Sequence, residues 1–421
     1  RPLHTLDMGK VSYADDGKTV KFDGRVRMFA VGSYPRREPA QILVDELARG
    51  SQSSWILEEI RQPAQGRVQV LVNGDVVAET TGEVVIQPKE TLTLAKVEFA
   101  KGFQWHGFAD RTYRGALSVR WGGQNALDAV VSCDFELVLA GVVPAEISSK
   151  AATGALQAQA VAARGEILSK MGLRHCNEGF DTCAEQHCQV YAGDTAVARQ
   201  IAPVIAPTRG LILQASDGAI VDAVYAANCG GHSEANHLVW TTSADPILAG
   251  QWDGPKPNPV LDLSREADVK KFIRTPPKSY CNDKTVEGGD KYRWKTPVLG
   301  AKWRKVEEAA GVGRIREIKD FARGVSGRLY KLTIVGESGT KTIMKELNIR
   351  KLFGMLRSAC FIATWKRDKS GFVDGAVFEG AGWGHGVGMC QTGAQSLAKK
   401  GWPFQKILAH YFPGSRLVKT Y

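Results

Sequence analysis

No apolar run in this chain approaches the roughly 20 residues needed to cross a bilayer as a helix. Internal repeats and heptads are missing too, which excludes solenoids and coiled coils. There is no alternating strand–helix–strand rhythm, so a parallel doubly wound sheet is not expected. Acidic residues are the scarcer charge, 44 against 55 Lys and Arg, for a net charge of +11. The basic clusters "RREP" and "KKFIR" are nevertheless short and lack interleaved aromatics. They do not make a nucleic-acid ladder, although a basic surface suits other polyanions. The chain starts at Arg, and no signal-peptide pattern follows. A trimmed form whose targeting segment is absent is the expectation.

The 421 residues are 43% hydrophobic, enough for a large core and for two or three domains. Residues 1 to about 105 read as a β-rich segment of unknown role, with a hairpin signal at Asn73-Gly74. "GALSVRW" and "ALDAVVSCDFELVLAGVV" follow as strand-like or mixed apolar runs. Then the period changes. "GALQAQAVAARGEILSKMG" puts Leu156, Ala160, Ala163 and Ile167 on one helical face and stops at Gly172. "TRGLILQASDGAIVDAVYAANCGGHSE" reads as strand, turn, strand and Gly-Gly turn. An irregular excursion is expected at about 250–300, then β hairpin over "GRIREIKDFARGVSGRLYKLTIVGESGTKTIM" and a short helix at "LNIRKLFG". The class is α+β, with a β-rich body and a few grouped helices; 106–421 is taken as the second domain.

Four stretches could carry chemistry. In "GVVPAEISS", Glu146 follows an apolar run, and apolar neighbours raise a carboxyl pKa toward what a general acid needs. The plainer alternative is an acid at a helix N-terminus, favoured by the macrodipole. In "HCNEGFDTCAEQHCQVY", Cys176, Cys183, His187 and Cys188, with His175 beside them, could hold zinc. A disulfide, Cys176–Cys183 or Cys183–Cys188, is the rival. "VYAANCGGHSE" offers Tyr225, Asn228, Cys229, His232 and Ser233 at a turn, with Cys229 read as a buried structural thiol. Finally, "GWGHGVGMCQTGAQSLAKKGW" crowds Gly382, Gly384, Gly386, Gly388 and Gly393 around His385, ahead of a helix that stops at Gly401. Glycine is kept where φ must be positive or the backbone must come close to something, and a loop of this kind can cradle a ligand with its N–H groups.

Taken in order, "GVVPAEI", "ALQAQAVAAR", "HCQVYAG", "NCGGHSE" and "GWGHGVGMCQTGAQSLAKKGWPFQKILAHYFPG" resemble the SpoIID/LytB family of bacterial cell-wall proteins, from about Tyr113 to about Leu417. The resemblance implies a lytic transglycosylase that cleaves peptidoglycan between N-acetylmuramic acid and N-acetylglucosamine, preferring strands without stem peptides. The family's catalytic glutamate falls on Glu146. The glycine loop matches a cleft motif, in which His385 and Gln391 would hydrogen-bond the sugar beside Gly384 and Gly386. Arg164 would hold the lactyl carboxylate, and Tyr225 and His232 are further cleft candidates. Cys390 stands where serine is usual, and Gln157 where lysine is usual. Some members hold zinc in the loop before "CQVY", which here implies Cys183, His187 and Cys188, with His175 or Cys176 as fourth ligand. Such a zinc would be structural, and catalysis would require no cofactor. An extracytoplasmic location and a wall amidase or septal scaffold as partner are also implied. The rival function is a non-catalytic wall-binding enhancer of an N-acetylmuramoyl-L-alanine amidase. A polyanion binder with an incidental glycine loop is the third.

Overall fold

The chain folds into two units in the computed structural model. It describes residues 4–8, 11–13, 20–22, 26–49, 54, 56, 57, 65–101, 106–122, 126–175, 178–240 and 243–421. One unit comprises 1–40, 55–222 and 417–421; the other comprises 41–54 and 223–416. The division therefore falls after Asp222, inside what the sequence presents as one continuous domain, and not near residue 105. The class is α+β, as expected.

In the first unit, Val68–Val72 and Asp75–Thr80 form the expected hairpin around Asn73 and Gly74, both at positive φ. Leu92–Phe99 pairs with Gly107–Tyr113, and Ala116–Trp121 lies between Val84–Ile86 and Leu127–Ser132. The apolar run after this sheet is a helix, not a further strand. Helix α1, Phe135–Glu146, is capped by Asp134, whose carboxylate accepts from the Glu136 N–H at 2.8 Å. Helix α2, Thr153–Lys170, buries Leu156, Ala160, Ala163 and Ile167 as the spacing predicts. Ala155, Ala158, Ala160, Ala162 and Ala163 are fully buried, so neighbouring elements lie close along it. Helix α3, Ala196–Ile205, packs on both.

A buried ion pair orders this helical layer. The Arg164 guanidinium is wholly buried in α2 and forks onto Glu136 in the first turn of α1, at 3.0 and 2.8 Å. Its remaining arm donates to the Leu211 carbonyl at 2.8 Å. Glu136 also accepts from the Tyr421 hydroxyl at 2.6 Å.

The second unit contains an antiparallel sheet in which Val373–Ala381 lies between Arg293–Leu299 and Phe361–Arg367. A second sheet, Ile315–Arg323, Leu329–Gly336 and Gly339–Met344, is the expected hairpin region with one strand more. Trp303, Phe353, Phe361 and Phe378 pack among these sheets and helices. The stretch 250–300 is more ordered than its Pro, Lys and Asp content suggests, with a helix at Glu266–Arg274 and a sheet strand at Arg293–Leu299. Tyr225–Ala226 also departs from expectation. It pairs in parallel with Met389–Cys390, not with the strand before it, because the chain passes into the second unit between them. Glu346–Leu352 is the short helix expected at "LNIRKLFG".

Arg164→Ala would leave Glu136 without its buried counter-charge, and losing one partner of such a pair costs about 3–5 kcal/mol. Urea unfolding of the variant should show a loss of that order; a change within measurement error would mean that the pair does not organise the helices.

Candidate functional site: a raised glutamate and a histidine–cysteine loop

Glu146 is the last residue of α1, so the N-terminal alternative is overturned. The helix C-terminus carries partial negative charge and disfavours a carboxylate there. Burial pushes the Glu146 carboxyl up to about 7, with a smaller contribution in the same direction from the Glu166 carboxylate. Against this, the Val190 N–H donates to Glu146 Oε1 at 3.0 Å and fixes its orientation. A carboxyl held at one point, and poised between acid and base near neutrality, is what proton transfer in both directions requires.

The segment that supplies Val190 is itself pinned at several points. Gln189 is buried and donates to the Ala163 carbonyl at 3.0 Å and to Glu166 at 3.1 Å. Arg111 donates to the Tyr191 carbonyl at 2.9 Å, and Arg114 forks onto Asp194. Gly141 admits the Tyr191 ring so closely that a Cβ there would collide with it. These supports were not singled out in the sequence. The "CQVY" match marked the segment, but a main-chain donor such as Val190 N–H leaves no signature in residue type.

Arg164 was expected to meet a substrate carboxylate. The structure corrects this, because its burial and its bonds to Glu136 and Leu211 spend it on the fold. Gln157, where lysine is usual, donates to the Val204 carbonyl at 3.0 Å, again an internal role.

Immediately before this segment lies the cysteine loop. His175, Cys183, His187 and Cys188 bring one ligand atom each within 4.8 Å of one another. The Cys188 sulfur is 3.3 Å from His175 Nε2 and 3.6 Å from His187 Nδ1. A tetrahedral zinc with ordinary bond lengths sets its N and S ligands about 3.5 Å apart. His175 adopts a left-handed φ of 53°, uncommon outside glycine, and its Nδ1 faces Glu178 Oε1 at 3.0 Å. A carboxylate on the far nitrogen is the usual support of a metal-bound imidazole. These residues fit a zinc ion. Cys176 lies outside the described residues; among the described ones, His175 stands where a fourth ligand would.

The remaining candidates, Tyr225, His232, Gly384, His385, Gly386 and Gln391, all belong to the second unit. Gly382, Gly384, Gly386 and Gly388 have φ between 72° and 89°. Their freedom is used for contact with the protein itself. A side chain at Gly386 would strike the Arg328 guanidinium, and one at Gly388 would strike the Val224 carbonyl. Arg328 is only 1% exposed and donates to the carbonyls of Gly384 at 3.3 Å and Cys229 at 3.1 Å and to the Ser326 hydroxyl at 2.9 Å. It therefore ties the glycine loop to the "NCGG" turn. The Arg328 guanidinium thus fills the side of Gly386 on which a side chain would stand.

His232 is also interior: it is 8% exposed, edge-on to Trp252, and pushed down to about 4 by burial, so its ring is neutral near pH 7. Gln391 is buried at the start of helix α4, Gln391–Lys399. Tyr225 is half-buried. His385 is half-exposed, accepts from the Val387 N–H at 3.1 Å, and lies 4.9 Å from the exposed Trp240 ring.

Residues 123–214, which contain Glu146 and the cysteine loop, match the model of the Stage II sporulation protein family. The likeness to the SpoIID family is thus carried by residues 123–214. Residues 234–388 match a domain of unknown function (DUF8618). The amidase enhancer of Bacillus subtilis is 28% identical over 66% of this chain and 40% of its own length. The chain thus spans about two fifths of that relative. Stage II sporulation protein D of Bacillus subtilis is 27% identical over 70% of this chain and 78% of itself. An uncharacterized protein of Brachyspira hyodysenteriae is 24% identical over 70% and 69%.

Two outcomes follow for stability. Glu146 has its folded-state pKa raised from 4.5 to about 7, so wild type loses stability as the pH rises through that window while Glu146→Gln does not. Above pH 7 the variant should be the more stable by about 1–3 kcal/mol, the gain vanishing below pH 4.5; a pH-independent difference in urea midpoints would contradict the raised pKa. Gly386→Ala combines a positive φ with a clash against buried Arg328 and should cost at least about 2 kcal/mol by thermal unfolding, whereas Gly384→Ala, with Ala226 Cβ 3.6 Å away, should cost less.

Proposed function

We propose that this SpoIID-family chain acts on the bacterial cell wall as a peptidoglycan lytic transglycosylase, with Glu146 as its catalytic residue. The observation that carries the reading is the carboxyl raised to about 7 and oriented by Val190 N–H. Ordinary glycosidases need two carboxyl groups, whereas a lytic transglycosylase works with one. Protonated Glu146 gives its proton to the glycosidic oxygen as the bond from the muramic acid anomeric carbon breaks. The resulting carboxylate then takes the proton of the C6 hydroxyl, whose oxygen closes on that carbon. The product is a 1,6-anhydro sugar, no water is consumed, and the glutamate ends protonated as it began. Glu166 is a positioning residue in this scheme, holding Gln189 and raising Glu146 by its charge.

Zinc, held by His175, Cys183, His187 and Cys188, is structural here: four protein ligands close the coordination sphere. It fixes the loop that leads directly into Gln189 and Val190. In the second unit, half-exposed His385 beside the exposed Trp240 ring offers a polar edge and an aromatic face, a combination suited to a sugar ring. Denuded glycan strands are the proposed substrate, and an extracytoplasmic envelope location is proposed with it. A second reading, an enhancer of a wall amidase, is favoured by the name of the 28%-identical relative; it needs the wall-binding surface but not Glu146.

Wild type and Glu146→Gln should be incubated with intact and with amidase-stripped peptidoglycan and the soluble products read by mass spectrometry. Products ending in 1,6-anhydro-muramic acid are expected from wild type alone. Reducing ends would indicate a hydrolase. Binding without release would favour the enhancer. The rate should also fall as pH rises above about 7, when the acid form is lost. Glu166→Gln should shift that limb to lower pH, because it removes a neighbouring negative charge.

A further inference from the structure

A second group of metal-ligating side chains lies in the second unit, apart from the histidine–cysteine loop and from Glu146. Cys229, Asp253, Cys281 and Cys390 are all buried, none more than 2% exposed, and one ligand atom from each falls within 4.8 Å of every other. We propose that these four residues form a closed structural site for a thiophilic divalent cation, with zinc as the expected ion.

The distances have the right scale. Cys229 and Cys281 place their sulfurs 3.6 Å apart, and the Cys229 sulfur is 3.3 Å from Asp253 Oδ2. With Zn–S near 2.3 Å and Zn–O near 2.0 Å, a tetrahedron has S–S and S–O edges of about 3.8 and 3.5 Å. Each ligand is also held from behind. Asp253 turns Oδ2 toward the sulfurs, while its Oδ1 accepts from the Tyr411 hydroxyl at 2.9 Å and lies 3.4 Å from His410 Nε2. Three main-chain N–H groups point at the sulfurs: Cys229 and Gly393 at Cys390, at 3.2 and 3.4 Å, and Gly231 at Cys229, at 3.4 Å. Cys390 caps α4, whose positive end favours a thiolate. The Cys281 backbone is fixed through its carbonyl by Asn228, at 3.2 Å.

Charge argues the same way. Bound as thiolates beside the Asp253 carboxylate, the three cysteines would have their charge offset by a divalent cation in this dry interior. Oriented N–H donors around thiolates are the outer-shell support that metal sites need. A Cβ at Gly393 would collide with the Tyr411 hydroxyl, so this glycine lets α4 approach the ligand set. Four protein ligands leave no open position, so the ion would join the "NCGG" turn, Asp253 and Cys281 to the start of α4 and would not act on substrate.

The test begins with the full chain carrying Cys183→Ser and Cys188→Ser, which removes the loop's sulfur ligands and leaves this site intact. Loaded with zinc and desalted, it should retain one equivalent by elemental analysis, and X-ray absorption should show three sulfurs and one oxygen around the metal. Adding Cys390→Ser should abolish that equivalent. A metal-free double variant, a first shell without sulfur, or a Cys229–Cys281 disulfide in non-reducing peptide maps of wild type would overturn the proposal. If the double variant fails to fold, wild type decides by alkylation mapping before and after treatment with a strong chelator. Cys229, Cys281 and Cys390 should become reactive together only after chelation; protection unchanged by the chelator would refute the site.

Discussion

The fork between Arg164 and Glu136 decides where α1 can lie. Arg164 sits mid-way along an alanine-rich helix that is otherwise almost featureless, and buries a full positive charge there. Only a carboxylate at close range compensates that burial. Glu136, in the first turn of α1, supplies it, so the start of α1 is fixed against α2. Ten residues on, the same helix ends at Glu146. The position of the proposed acid is thus set from the opposite end of its helix by a charge that never meets substrate.

The chemistry at Glu146 then depends on what surrounds a helix C-terminus. The negative end of the dipole, the apolar packing and the Glu166 carboxylate all disfavour ionisation; one N–H from Val190 opposes them. That N–H is trustworthy as an orienting group because its segment is nailed down on both sides. Gln189 reaches into α2, Arg111 and Arg114 hold Tyr191 and Asp194, and the histidine–cysteine loop closes the approach from the N-terminal side. Site and scaffold use the same short stretch of chain.

In the second unit a different buried cation plays the organising part. Arg328 spends its donors on main-chain carbonyls of the glycine loop and the "NCGG" turn. Gly386 and Gly388 leave the room that this guanidinium and the Val224 carbonyl occupy, and half-exposed His385 stands beside the exposed Trp240 ring. The same packing brings Cys229 and Cys390 together, so the loop that looked like a ligand cradle also forms one wall of a sulfur-lined interior site.

Residue types and periodicity determined much by themselves. The 3.6-residue spacing of Leu156, Ala160, Ala163 and Ile167 fixed α2 and Asn73-Gly74 fixed its hairpin, because these signals are local, whereas Glu146 was marked by the resemblance of "VPAEI" to a family motif. Three thiols and two imidazoles in one short loop could likewise be read as ligands. Tertiary structure decided what depends on distant partners. Arg164 read as a substrate contact until burial showed its charge consumed inside the fold. "FELVLAGVV" read as mixed until its Asp134 carboxylate cap and packing made it a helix. Cys229, Asp253, Cys281 and Cys390 are scattered over some 160 positions, so no spacing rule could have joined them. Only the close approach of chain segments that glycine permits puts their ligand atoms in one place.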